Sequence, residues 1–150
     1  MPISGHSANT GRDPATEDKW LARVADWDDV AADKAIRAGL SIDLAVHLQK
    51  LLDLRDEEAA RLIGRSRSTY SRYRGSGREL GVPEAERAVR YARLLYLASE
   101  TFGSLEKAKR WMREENYALG GVAPFQMADT DPGATVVRDL LLGLQYGFPL

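Results

Sequence analysis

The sequence predicts an all-α fold, and three observations predict it. Apolar residues recur at steps of three and four in stretch after stretch. Glycines and Ser, Thr or Asp residues stand where helices would stop and start. No run of alternating apolar and polar residues reads as a strand, and no internal repeat is present.

Residues 1–15 are rich in Gly, Ser, Asn, Thr and Pro without apolar periodicity, and read as a disordered tail. From Thr16 the pattern turns helical, with Trp20, Val24, Trp27 and Ala31 on one stripe up to a stop at Gly39. From Asp13 to Asp33, across most of this 16–40 segment, acids dominate: Asp13, Glu17, Asp18, Asp26, Asp28, Asp29 and Asp33 face only Lys19 and Arg23. Ser41 is expected to cap a helix over 42–53 whose apolar side is Ile42, Leu44, Ala45, Leu48, Leu51 and Leu52. Asp56, Glu57 and Glu58 suit the start of the next helix, where the macrodipole favours acids. That helix ends at Gly64, and Ser66 caps another that runs through Arg74 and closes at Gly75-Ser76-Gly77.

A long helix follows from Glu84 to Thr101 with Ala88, Tyr91, Ala92, Leu95, Leu97 and Ala98 inward, stopping at Gly103. Ser104 starts a helix to about Glu115, Leu119-Gly120-Gly121 makes a tight turn, and 124–128 forms one short helix. The double glycine lacks the Lys and Ser/Thr of a phosphate loop. Phe102 and Trp111 read as core residues. Asp131-Pro132 reads as N-cap and first helical residue of a last helix with Val136, Val137, Leu140, Leu141 and Leu144 on one side.

The stretch Asp56–Arg74 has the plan of a helix-turn-helix: a short helix, a glycine, a three-residue turn and a capped second helix. Gly64 allows the positive φ at which the first helix ends, and Ala60 is small where the helices approach. At about 100° per residue, Tyr70 and Tyr73 share the inward side while Ser68, Ser71 and Arg72 point outward. Arg67 and Thr69 flank the first turn, whose free N–H groups attract phosphate. Arg72 and the serines could read base edges, with Arg61, Arg65, Arg74 and Arg78 as phosphate contacts. From Arg61 to Arg78 no acid interrupts this cationic run, although the whole chain carries a net charge of only −1. The competing reading is an ordinary helical hairpin with solvated arginines. Two positions depart from the usual pattern: Arg65 stands where such turns bury an aliphatic side chain, and Arg55 where Ser or Thr caps the first helix.

Further motifs follow in order: Pro83-Glu84-Ala85-Glu86-Arg87, Arg90-Tyr91-Ala92-Arg93-Leu94, Thr101-Phe102-Gly103, Lys107-Ala108, Trp111 and Asn116. Then come Ala118-Leu119-Gly120-Gly121, Ala123-Pro124-Phe125, Asp129-Thr130, Gly133-Ala134, and Leu142-Gly143-Leu144-Gln145-Tyr146-Gly147-Phe148-Pro149. In order and spacing they resemble the toxin-binding domain of Xre-type antitoxins, and the similarity covers about residues 40–150. It implies an Xre-like domain over 41–80, a toxin-binding domain with a C-terminal tail over 81–150, and a partner among the RES toxins, which deplete NAD⁺. It also implies a homodimer that represses its own promoter. In such complexes the antitoxin's C-terminal end enters the toxin's active-site cleft, and the matching positions here are Tyr146, Gly147, Phe148, Pro149 and Leu150. Leu150 departs from the small residue common at family tails. On physical grounds an apolar chain end stiffened by Pro149 has area to bury and less entropy to lose on binding a partner's pocket; the competing reading is that it folds back on its own protein.

The function classes left out are as telling. With no cysteine and only His6 and His47 as imidazoles, no metal site, thiol nucleophile or catalytic constellation is expected, so no enzyme, cofactor or small-molecule substrate. No apolar run approaches the ~18–20 residues that span a bilayer, and no signal peptide is read at the start. The expectation is a cytoplasmic, two-faced binding protein. Its rival is a stand-alone helix-turn-helix repressor whose C-terminal helices only dimerise.

Overall fold

The computed structural model describes residues 14–147. Residues 1–13 of the expected tail lie outside this range, as do Phe148, Pro149 and Leu150. The described chain is all α apart from one minimal ladder and a single antiparallel bridge between Asn116 and Val122. Its elements are α1 (Pro14–Ala25), α2 (Asp29–Ala38), β1 (Leu40–Ser41), α3 (Asp43–Leu51), α4 (Asp56–Leu62), α5 (Arg67–Ser76) and β2 (Glu79–Leu80). They continue with α6 (Val82–Phe102), α7 (Leu105–Arg113), a 3₁₀ turn (Tyr117–Leu119), α8 (Pro124–Met127) and α9 (Asp131–Tyr146).

The long helix α6 is the axis. It packs against α1, α2, α3, α4, α7 and α9, and its Ala85, Ala88, Ala92, Leu95 and Ala98 are fully buried. The alanines let neighbouring helices approach on several sides at once. Tyr91 OH donates to the Phe125 carbonyl at 2.9 Å, so α6 also holds α8. Burial raises the pKa of that hydroxyl and keeps it a neutral donor.

The N-terminal stripe differs from expectation. It is two helices, because Asp28 caps α2 by accepting from the Ala31 N–H at 2.7 Å. Arg93 of α6 secures the break, donating to the Trp27 carbonyl at 2.6 Å and pairing with Asp29 at 3.1 Å. With the axis redirected there, Leu21, Val24 and Ala32 fill the core, and Trp20 and Trp27 are only half-buried.

Two smaller corrections share one cause, a cap displaced by a single residue. Ser41 accepts from the Asp43 N–H at 3.1 Å, but Ile42 occupies the cap position of α3. Thr130, not Asp131, caps α9 through the Gly133 N–H at 3.1 Å. On α9, Val137, Leu140 and Leu141 are buried as expected, whereas Val136 and Leu144 face outward because only a narrow side meets α6. The ladder pairs Leu40 with Leu80 and Ser41 with Glu79, antiparallel, closing the base of the segment between them. Strands of two residues leave no alternation to read.

Candidate DNA and toxin interfaces

α4 and α5 form the expected helix-turn-helix. Gly64 adopts φ +78°, and the Arg65 N–H returns to the Ala60 carbonyl at 2.9 Å. Ser66 caps α5 by accepting from the Thr69 N–H at 3.2 Å. In place of a capping hydroxyl at Arg55, the Glu58 carboxylate accepts from the Arg55 N–H at 2.9 Å, half of a capping box. Tyr70 and Tyr73 are buried, at 0% and 2% exposure. Arg67, Ser68, Ser71 and Arg72 are exposed and Thr69 is half-buried. The rotation read from the sequence therefore matches the observed faces of α5.

The arginines divide into two groups that the sequence does not separate. Arg74 reaches back to Asp56 with two hydrogen bonds, at 3.1 and 3.2 Å, so it ties α5 to the start of α4. Gln49 of α3 completes that knot: its Nε2 donates to Asp56 at 2.8 Å and its Oε1 accepts from Tyr70 OH at 2.5 Å. Hydrogen bonds from Arg74 and then Gln49 pull the Asp56 carboxyl down from its ordinary value to about 2. Arg65 lies 3.0 Å from Glu84 and donates to Tyr73 OH at 2.7 Å, so the turn's odd residue is held by polar partners where an aliphatic was expected.

Arg61, Arg72 and Arg78 enter no salt bridge among the described residues, and Arg67 has only a loose contact with Glu57 at 3.5 Å. Arg72 and Arg78 lie over the Tyr73 ring, 5.9 and 4.7 Å from its centroid, which props them at the surface. The cations left facing solvent are thus Arg61, Arg67, Arg72 and Arg78.

Sequence reasoning missed Gln49 and Arg87. Gln49 is an unremarkable helix residue on paper, and its importance exists only once α3 lies across α4 and α5. Arg87 donates from Nε to the Leu62 carbonyl at 2.8 Å, and from Nη2 to the Arg61 carbonyl at 3.1 Å, which also accepts the Gly64 N–H at 2.9 Å, so it closes over the last turn of α4. It also donates to the Asp129 carbonyl at 2.9 Å and pairs with the Asp129 carboxylate.

At the other end of the chain, Tyr146 is exposed, and Gly147 closes α9 at φ +71° with its N–H on the Gly143 carbonyl. Of the expected toxin-binding positions, Phe148, Pro149 and Leu150 fall outside the described residues. Phe102 and Trp111 stack at 5.3 Å, tilted, on the outside of the core. Among the described residues no His, Cys, Asp and Glu cluster could hold a metal, and no helix is long and apolar enough to cross a membrane.

Two family models match this chain. Residues 31–93 match the antitoxin Xre-like helix-turn-helix domain, and residues 97–147 match the antitoxin Xre/MbcA/ParS C-terminal toxin-binding domain. Over 71 residues the chain is 37% identical to an antitoxin Xre of Pseudomonas putida, covering 47% of this chain and 45% of that protein. It is 27% identical over 113 residues to an antitoxin Xre of Photorhabdus laumondii, covering 75% of this chain and 76% of the relative. A third, from Yersinia enterocolitica, is 28% identical over 114 residues, covering 75% and 77%. The helix pair, the bundle built on α6 and these matches agree: the chain belongs to the Xre-type antitoxins, with a helix-turn-helix followed by a C-terminal toxin-binding domain.

Proposed function

We propose that this antitoxin neutralises a RES-type, NAD-degrading toxin by placing its C-terminal tail in the toxin's active site, and that as a homodimer in the cytoplasm it represses its own operon. The observation that carries the DNA half is the exposed side of α5, where Arg67, Ser68, Ser71 and Arg72 stand around a capped helix start while both tyrosines are buried. Arg72 and the serines are the base-reading candidates. Arg61, Arg67 and Arg78 supply phosphate contacts, which bring affinity more than sequence choice. Arg65 and Arg74, held by Glu84 and Asp56, act mainly by fixing the helix pair. Family membership supports the toxin half, together with the apolar ending Phe148-Pro149-Leu150 just beyond the stop at Gly147.

Two experiments address the two halves. The Arg72→Ala protein should lose base preference by roughly 1–3 kcal/mol in gel-shift titrations. Unchanged affinity and selectivity would overturn the base-reading assignment. In cells co-expressing the neighbouring toxin frame, deletion of residues 147–150 should abolish protection while leaving operator binding intact. Full protection by the truncated chain would overturn the tail as the inhibitory segment, and no protection by the full chain would favour a stand-alone repressor instead.

A further inference from the structure

The first helix of the DNA-binding pair is gripped at both ends by residues from outside that pair. α4 is seven residues long, too short to hold its own pose. At its start, Arg113 of α7 donates to both oxygens of the Glu58 carboxylate, at 3.3 and 3.2 Å, and to the Leu52 carbonyl at 3.1 Å. One turn earlier on α7, Lys109 pairs at 2.8 Å with Asp53, which turns the chain between α3 and α4 at φ +53°. At the far end of α4, the Arg87 guanidinium on the Arg61 and Leu62 carbonyls is itself held by Asp129. Gly64 makes this approach possible, since a Cβ there would lie 3.2 Å from Arg87 Cδ and Nε.

The ownership of these residues gives the contacts their meaning. Lys109, Arg113 and Asp129 lie within the segment matching the toxin-binding domain, whereas Leu52, Asp53, Glu58, Arg61, Leu62 and Arg87 lie within the helix-turn-helix match. Arg87 and Arg113 are largely covered, with 19% and 32% of their side chains exposed; Glu58 is covered too, so its pair with Arg113 is less screened than a surface bridge, while the Asp129 carboxylate is half-exposed. α5 is fixed to α4 by Arg74 on Asp56, so the pose of α4 is passed directly to the base-facing helix. Base reading tolerates displacements of only about 0.5 Å or 10–20°.

We propose that Arg113 and Asp129 are positioning residues for DNA recognition: from within the toxin-binding domain they hold α4 at its two ends and so set the pose of α5. This rests on the DNA-binding reading above and adds that the helix-turn-helix is not an independent module.

The test uses the full chain. The wild type selects a duplex from random-sequence DNA, and Arg113→Ala, Asp129→Asn and the control Lys107→Ala are then titrated against that duplex and a scrambled one. Measurements are made where each variant keeps the wild-type far-ultraviolet circular dichroism. Asp129→Asn preserves size and the backbone carbonyl that Arg87 uses, which guards against simple unfolding. Arg113→Ala and Asp129→Asn should lower affinity for the selected duplex on the order of tenfold relative to the scrambled one, while Lys107→Ala keeps the wild-type ratio. Partial recovery of that ratio in Arg113→Lys is expected, because a lysine keeps the charge on Glu58 and loses the fork to Leu52. Removing Asp129's charge would by itself raise binding to both duplexes alike, so a fall in the ratio cannot come from that effect. An unchanged ratio overturns the proposal, even with a lower melting temperature, since the contacts would then be structural only. A parallel loss on both duplexes overturns it as well. If the wild type selects no duplex, the DNA-binding reading falls first and this inference with it.

Discussion

Asp56 and Arg74 illustrate how one pair can dominate a helix junction. The Asp56 carboxyl titrates near 2 against an ordinary 3.8, with the Arg74 hydrogen bond the leading cause. A carboxyl whose pKa is depressed on folding adds stability above its unfolded value, and that contribution fades as pH falls through the folded one. Melting temperatures should therefore drop between about pH 4 and about pH 2, and Asp56→Asn should be less stable at pH 7 with a flatter acid limb. Parallel acid limbs in the two proteins would contradict this account. Gly64 combines two demands, a φ of +78° and room for Arg87 at 3.2 Å. Gly64→Ala should cost about 1–2 kcal/mol in urea unfolding, because alanine resists that φ and displaces the guanidinium stem. A loss under about 0.5 kcal/mol would mean that the turn relaxes freely.

Helix α9 shows that an apolar pattern locates an element more surely than its exact face. Five apolar positions share its expected side, yet Val136 and Leu144 are 47% and 45% exposed while Val137 and Leu141 are fully buried. The helix enters past Met127, whose carbonyl would lie 1.8 Å from a Cβ at position 133. That close approach, together with the Thr130 cap, fixes the rotation. Gly133→Ala should destabilise the fold by roughly 2–4 kcal/mol, whereas Val136→Ser should stay within about 0.5 kcal/mol. Chemical denaturation of both variants checks the contrast, and a reversed order would place α9 in a different rotation. The N-terminal segment makes the same point. Its stripe at steps of four, three and four correctly announces helix, but the Asp28 cap and Arg93 clamp break it in two and shift burial from the tryptophans to Leu21 and Ala32.

Across the whole molecule, α6 serves both the DNA-facing and the toxin-binding parts, since its flanks meet α1, α2, α3, α4, α7 and α9. Two functions built on one axis should still be separable at the chain end. Phe148→Asp is expected to leave melting temperature and DNA affinity at wild-type values and to abolish protection in toxin-challenged cells. Survival of those cells would argue against the tail as the inhibitory segment. The all-α class, the helix-turn-helix at Asp56–Arg74, the inward tyrosines and the outward Ser68, Ser71 and Arg72 all follow from the chain order of residues, because each rests on helical periodicity, a glycine or a local cap. Which arginines are engaged was decided only by tertiary structure. Arg65, Arg74, Arg87 and Arg113 find partners 18 to 61 positions away, and the same side-chain type becomes a clamp or a free cation according to what folding brings within hydrogen-bond reach. Local signals are written between neighbours in sequence. An ion pair between distant helices exists only after the core has placed both ends.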